Sequence, residues 1–155
     1  MQSFVPTKKT EKLFPMMFEH FAINVEKPKE MAEWYVKNLH MEIRKSMTES
    51  PFTHFLGDDT GRLVMEIYAN ENAEIPDYED QHPLRFHIAF ASDDAEKMKN
   101  ELLTAGAILF EEERGDDGSH LVMLRDPFGI PLQICQRTNS FALNKEKVKK
   151  MAEGL

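Results

Sequence analysis

Two histidines of the chain are each followed, 46 residues later, by a side chain that carries a carboxylate or amide oxygen. His20 is paired in this way with Glu66, and His87 with Gln133. One shift of 67 positions superimposes the first pair on the second, which indicates a duplicated supersecondary unit. Imidazole nitrogens and carboxylate or amide oxygens are ligands of divalent transition metals. A single strand histidine or glutamate is more often structural, but the agreement of four positions predicts one metal site.

The elements around these residues repeat as well. In each copy the histidine lies in a short apolar strand, at 18–25 and 85–91, and a helix and three strands follow. The later strands are predicted at 41–47, 52–57 and 62–69, and again at 107–113, 119–125 and 131–137. Turn sequences at 58–61 and 126–129 join the last two strands of each copy. Each copy is therefore predicted to be a βαβββ module, which makes the fold class α+β.

The ends of both helices carry recognisable signals. Pro28 suits the first turn of the first helix, because proline lacks an N–H and has a helical φ. Before the second helix, Asp93 and Glu96 have the spacing of a capping box. Gly106 is placed to end that helix in the left-handed conformation. The predicted segments are an N-terminal extension (1–15), a first module (16–69), a connector (70–83), a second module (84–137) and a helical tail (138–155).

Composition limits the classes of function. The 155 residues suit one domain or two small halves that share a core. The net charge of −8, without a basic stripe joined to aromatic residues, argues against nucleic acid as a partner. No apolar run is long enough for a membrane span, and the first residues lack an apolar signal core. The single cysteine, Cys135, fits a reducing cytoplasm, so we predict a cytoplasmic protein.

Strand alternation predicts which side chains share the face of the four candidate ligands. Residues two apart on a strand lie on one face, which adds Asn24, Tyr68 and Cys135 as candidate cleft-lining residues. The remaining histidines are expected to be structural or solvated. Of these, His54 and His120 are expected to come nearest to the cleft.

Several short motifs recur at the spacing of a known family. They are His20-x-Ala-x-Asn-Val, Met-Glu66-Ile-Tyr, Phe-His87-Ile-Ala-Phe, the Leu-x-x-x-Gly stretch at 102–106, and Asp-Pro-Phe-Gly at 126–129 running on to Gln133. Over about residues 16–137 the chain resembles the vicinal oxygen chelate superfamily. That superfamily includes glyoxalase I, fosfomycin-resistance thiol transferases, extradiol dioxygenases, methylmalonyl-CoA epimerase and bleomycin-resistance proteins. The resemblance implies two pseudo-symmetric modules whose sheets curl around one metal-binding cleft.

The ligand pattern is most similar to that of glyoxalase I, with one departure. The bacterial glyoxalase I pattern is His, Glu, His, Glu, whereas this chain ends in Gln133. One carboxylate leaves a divalent site at a charge of +1, which favours polarisation of a bound carbonyl but weakens metal binding. The resemblance thus implies a lyase or isomerase in which Glu66 moves a proton next to a carbonyl of a chelated substrate. Zn, Ni, Fe, Co and Mn all suit mixed nitrogen and oxygen ligands.

Other functions remain open. His20, His87 and Glu66 could form the facial triad of an Fe(II)-dependent dioxygenase. Alternatively, the cleft could bind a drug or metabolite without catalysis. Cys135 as a nucleophile is less favoured, because it has no histidine near it in sequence. A homodimer is expected, since relatives commonly pair and two open sheets have edges that need covering.

Overall fold

The computed structural model describes residues 18–139 and contains two copies of the same unit. The predicted α+β class and the two βαβββ modules are confirmed. The extension 1–15 and most of the tail lie outside the described residues. Within those residues, no helix is long and apolar enough to cross a membrane. The elements are β1 (Phe21–Asn24), α1 (Pro28–Leu39), β2 (Glu42–Ser46), β3 (His54–Gly57), β4 (Leu63–Tyr68), β5 (Ile88–Ala91), α2 (Ala95–Thr104), β6 (Ile108–Arg114), β7 (His120–Arg125) and β8 (Pro131–Gln136).

Each module forms its own four-stranded mixed sheet. The strand orders are β1-β4-β3-β2 and β5-β8-β7-β6, so the two sheets have the same topology. β1 is parallel to β4, and β5 is parallel to β8, because a helix carries the chain back across each sheet. The other pairings are antiparallel. Among the described residues no strand of one sheet pairs with a strand of the other, so the sheets are curled but not closed.

The helix ends follow the sequence signals with one correction. α1 begins at Pro28 and ends where His40 adopts a left-handed φ of 55°. At α2 the predicted capping residue Asp93 is wrong, because the helix begins one residue later. There the Asp94 carboxylate accepts a hydrogen bond of 2.9 Å from the backbone N–H of Lys97. Gly106 ends α2 with a φ of 97°, as predicted.

One hydrophobic core joins the two modules on the helix-bearing faces of both sheets. It contains Tyr35 of α1, Ile67 of β4 and Ile134 of β8 in a single cluster. The modules are also joined by hydrogen bonds. The Trp34 indole N–H donates to the carbonyl of Ala105 at 3.0 Å, and the Tyr35 hydroxyl donates to Asp126 at 2.8 Å. The opposite faces of the sheets are consequently left outside the core.

The connector is fastened to both modules. The Asn24 amide donates to the carbonyls of Asn70 and Ala73, at 3.0 and 2.9 Å, and accepts from the N–H of Asn70. At the other end, the Arg125 guanidinium donates to the carbonyls of Tyr78 and Gln81. These bonds satisfy backbone groups of a segment that has no helix or strand of its own.

The buried carboxylate of Asp126 predicts a pH effect on stability. Burial raises its pKa from 3.8 to about 6, against hydrogen bonds from Tyr35 and from the N–H groups of Phe128 and Ile130. Because the folded-state pKa of Asp126 is raised, its contribution to the free energy of unfolding is fully present below about pH 4. This contribution is lost as the pH rises through about 6. We expect the wild type to lose about 3 kcal/mol relative to Asp126→Asn over this range. Denaturant unfolding at several pH values measures the difference, and exposed Asp93→Asn should follow the wild type.

Candidate metal site

In each sheet, we call the face opposite the core the open face. His20 and Glu66 lie side by side on the open face of the first sheet. His20 directly precedes β1, and the parallel register pairs Ala22 with Glu66 of β4. His20 Nε2 is 3.2 Å from Glu66 Oε2, and both side chains are half-buried. Phe55 of β3 pairs with Glu66 on the same face, and its ring meets the His20 ring edge-on at 5.9 Å. We call His20 and Glu66 half-site one.

The two ring nitrogens of His20 each face a carboxylate. Nδ1 lies 2.9 Å from Glu19 Oε1. A neutral imidazole has one N–H, so a ring that donates to Glu19 presents its Nε2 lone pair to Glu66. The Nε2 lone pair and the Glu66 oxygen are then both acceptors. Two acceptors 3.2 Å apart need a proton or a metal cation between them. Two ligands about 2.1 Å from one ion would be separated by about 3.0 Å in octahedral and about 3.4 Å in tetrahedral geometry, which brackets this distance.

His87 and Gln133 occupy the equivalent positions in the second module, and we call them half-site two. His87 directly precedes β5, and the register pairs Ala89 with Gln133 of β8. His87 Nδ1 is 3.0 Å from the carbonyl of Pro83. A carbonyl only accepts, so Nδ1 carries a proton, and in a neutral ring Nε2 is then the nitrogen with a free lone pair. The sequence did not point to Glu19 or Pro83 as partners that orient the two histidines.

His20, Glu66 and His87 do not form one compact ligand group among the described residues. In the part of the chain that the structure describes, the donor atoms of these three residues do not all lie within 4.8 Å of one another. Each pair nevertheless lies on the face that strand alternation predicts for it. Metal binding by all four residues stays a prediction.

The predicted cleft-lining residues have different surroundings. Tyr68 is half-buried and pairs with Asn24 in the β1–β4 register. The Asn24 amide is buried and fully engaged with the connector. Cys135 is only 7% exposed, and its thiol lies 3.2 Å from Gln133 Oε1. Burial raises the pKa of the Cys135 thiol, and the nearby Arg137 opposes this shift.

The expectation that His54 and His120 come nearest to the cleft is wrong. The register pairs Phe55, not His54, with Glu66, and Met123, not His120, with Gln133. Neighbouring strand residues alternate faces, so both histidines lie on the helix-bearing side of their sheets. Both are buried there.

A second group of ligand residues lies beside His120 under α2. Glu96, Glu112 and His120 place donor atoms within 4.8 Å of one another. The Lys99 ammonium, however, already contacts Glu112 at 2.8 Å and Glu96 at 2.9 Å. Chiefly through Lys99, the pKa of Glu112 is lowered to about 2. We interpret this group as a structural ion-pair cluster, in which a lysine occupies the position that a cation would need.

Comparison with known proteins identifies the family. Residues 17–134 match the model of the glyoxalase/bleomycin resistance protein/dioxygenase superfamily, and the chain belongs to that superfamily. Members of this superfamily commonly bind a divalent metal ion. No curated protein is significantly similar in sequence.

Solved structures with low sequence identity share the fold. The structure of SMU.1112c is 24% identical, with a TM-score of 0.59 over 79% of this chain and 99% of its own. Glyoxalase I from Zea mays is 19% identical, with a TM-score of 0.60 over 78% of this chain and 44% of its own. TnmS3, an antibiotic-binding protein from Streptomyces sp. CB03234, is 12% identical, with a TM-score of 0.60 over 81% and 99%. This chain therefore spans less than half of the maize protein.

Proposed function

We propose that the protein is a glyoxalase-like, metal-dependent lyase or isomerase that acts on a small carbonyl compound. The observation that carries this proposal is half-site one, where His20 Nε2 and an oxygen of Glu66 face each other at 3.2 Å. His87 supports it, because its Nδ1 proton is held by a carbonyl and its Nε2 lone pair is left for a ligand role. When bound, a divalent cation would polarise two neighbouring oxygens of the substrate.

Glu66 is the proposed proton carrier. It is the one carboxylate among the four proposed ligands, and it is half-buried on the open face of the sheet. Its carboxylate would take a proton from the carbon next to the carbonyl and return it to the neighbouring carbon. His20, held on its other side by Glu19, would fix the position of the Glu66 carboxylate during both transfers.

Metal content tests the ligand assignment. Wild-type protein purified without chelator should contain a divalent metal, and His20→Ala and His87→Ala should each lose most of it, because each removes a nitrogen ligand. Elemental analysis measures the stoichiometry. His82→Ala, which changes a histidine of the connector, is the matched control and should keep the metal. Equal metal content in all four proteins would contradict the assignment.

We propose that the complete site forms in a homodimer. Half-site one of one protomer would face half-site two of its partner, since His20, Glu66 and His87 do not form one ligand group within the described part of one chain. Each half-site is flanked by an exposed apolar residue, Phe18 at 64% and Leu84 at 78% exposure. Large exposed apolar side chains next to an open site favour coverage by another protein surface. A cytoplasmic location, consistent with the single cysteine, belongs to the same proposal.

A non-catalytic binding protein is the second candidate. It is favoured by the single carboxylate of the ligand set and by the structural similarity to TnmS3. Such a protein would bind its small molecule without exchanging the hydrogen next to a carbonyl. Deuterium exchange into a panel of α-carbonyl compounds, followed by NMR, separates the two candidates.

A further inference from the structure

We propose that half-site one takes a carbonyl compound that also carries an anionic group, and that Lys45 selects this group. An aromatic or other apolar body would join the two ends of the substrate and lie on Phe55. This inference rests on the proposed function, because it names the substrate class of the same site. It assigns a role to a lysine that the proposed proton transfer does not use.

Lys45, Phe55 and Glu66 form a row across three neighbouring strands of the first sheet. Phe55 of β3 pairs with Glu66 of β4, and Lys45 of β2 pairs with Phe55. Directly paired residues lie on the same face of a sheet, so all three side chains belong to the open face. Neighbouring strands are about 4.8 Å apart, which puts the backbone of Lys45 about 10 Å from that of Glu66.

The Phe55 ring forms the surface between the two charged ends of the row. It is half-buried and does not belong to the hydrophobic core. Its edge-on contact with the His20 ring, at 5.9 Å, holds it beside half-site one. An aromatic ring gives a ligand ring favourable stacked or edge-to-face contacts. A ligand that spans the row therefore has an apolar middle.

The Lys45 ammonium is available to a ligand. The side chain is exposed, and within residues 18–139 no carboxylate forms an ion pair with it. Its flexible four-carbon stem lets the ammonium reach over Phe55 towards a bound anion. The net charge of −8 repels anions from the protein as a whole, so an anionic substrate needs a local cation of this kind.

The equivalent row of the second sheet ends in the opposite charge. There Gln133 of β8 pairs with Met123 of β7, which pairs with Glu111 of β6. The cation is therefore a property of half-site one and not of the repeated fold. In the proposed dimer, an ion pair between Lys45 and Glu111 of the other protomer would be the competing use of this lysine.

Two ligands of nearly equal shape test the charge preference. The probes are 4-acetylbenzoate and the uncharged 4-acetylbenzamide, and NMR titration measures their dissociation constants. The wild type should bind the benzoate more tightly than the benzamide. Lys45→Met should weaken benzoate binding by about 3–5-fold, as expected for one exposed ion pair, without changing benzamide binding. Lys37→Met removes an equal charge from an exposed position of α1 and should match the wild type.

A charge reversal and a kinetic measurement extend the test. Lys45→Glu should bind 4-(aminomethyl)acetophenone more tightly than 4-acetylbenzoate, which is the reverse of the wild-type order. For deuterium exchange into the acetyl group of the benzoate, Lys45→Met should raise KM and leave kcat nearly unchanged. The reason is that a contact remote from the reacting carbon is the same in the ground state and the transition state.

The outcomes separate this inference from the proposed function. Benzoate binding that depends on Lys45 but gives no deuterium exchange rejects the proton transfer and retains the anionic ligand class. Exchange that is equal for both probes and unaffected by Lys45→Met overturns the inference and leaves the proposed function in place. An equal loss of both probes, with less dimer in sedimentation, assigns Lys45 to the dimer interface and overturns the inference. Absence of benzoate binding at millimolar concentration overturns it as well.

Discussion

Glu66→Gln should abolish turnover while leaving a protein that can still be loaded with metal. The amide keeps the size of the side chain and an oxygen ligand, but it cannot accept a proton at neutral pH. Loss of a general base typically lowers rates by about 10²–10⁴-fold, and Glu66 is also a proposed ligand, so we expect at least that loss. The measurement is deuterium exchange next to the carbonyl of an active substrate, at metal concentrations that saturate both proteins.

The control for this experiment is Glu74→Gln, which makes the same change at an exposed position of the connector. It should keep wild-type turnover and metal content. Full activity of Glu66→Gln with metal bound would reject Glu66 as the base. Such a result would leave the fold and the metal site unaffected, and would favour either another proton carrier or the dioxygenase chemistry.

A mixture of His20→Ala and His87→Ala should recover metal sites that neither variant forms alone. In a dimer that combines half-sites from two protomers, a heterodimer of these variants contains one site with both defects and one with none. Random pairing in an equal mixture, refolded together, should therefore restore about a quarter of the wild-type sites. Elemental analysis after removal of free metal measures this recovery, and activity should follow it.

The alternative arrangement gives a different result. If all four ligands came from one chain, every chain in the mixture would lack one ligand, and mixing would restore nothing. Sedimentation provides an independent check, because the dimer predicts a species of twice the 18.0 kDa chain mass. A monomer at micromolar concentration, with full metal content, would contradict the shared site.

The sequence predicted the two modules because the residue patterns that define their strands and helices are local and occur twice. Apolar periodicity located the ten elements of the described residues to within a few positions, and Gly106 ended α2 as expected. Strand alternation also placed Glu66 and Gln133 on the face of their neighbouring histidines. The error at the start of α2 involves two adjacent aspartates, Asp93 and Asp94, and either side chain can cap a helix.

Features that depend on strand pairing could not be predicted. The strand of His120 reads His-Leu-Val-Met-Leu, which is apolar on both faces, so its own sequence does not show which side meets the helix. Only the pairing of Met123 with Gln133 decides this. Whether His20 and Glu66 approach His87 likewise depends on module packing, to which Tyr35 and Asp126 contribute a bond across 91 positions of sequence.

The placement of the core separates the sheet faces that stabilise the fold from the faces that carry the proposed ligand residues. Most side chains that hold the modules together face the helices, while the open faces carry exposed alanines such as Ala22, Ala89 and Ala91. A substitution of one of these exposed alanines removes little buried apolar surface, so its cost in unfolding free energy is small. Selection can therefore alter such positions around the proposed site one residue at a time without first compensating for lost stability. The same scaffold can acquire a new ligand more readily than it can acquire a new core.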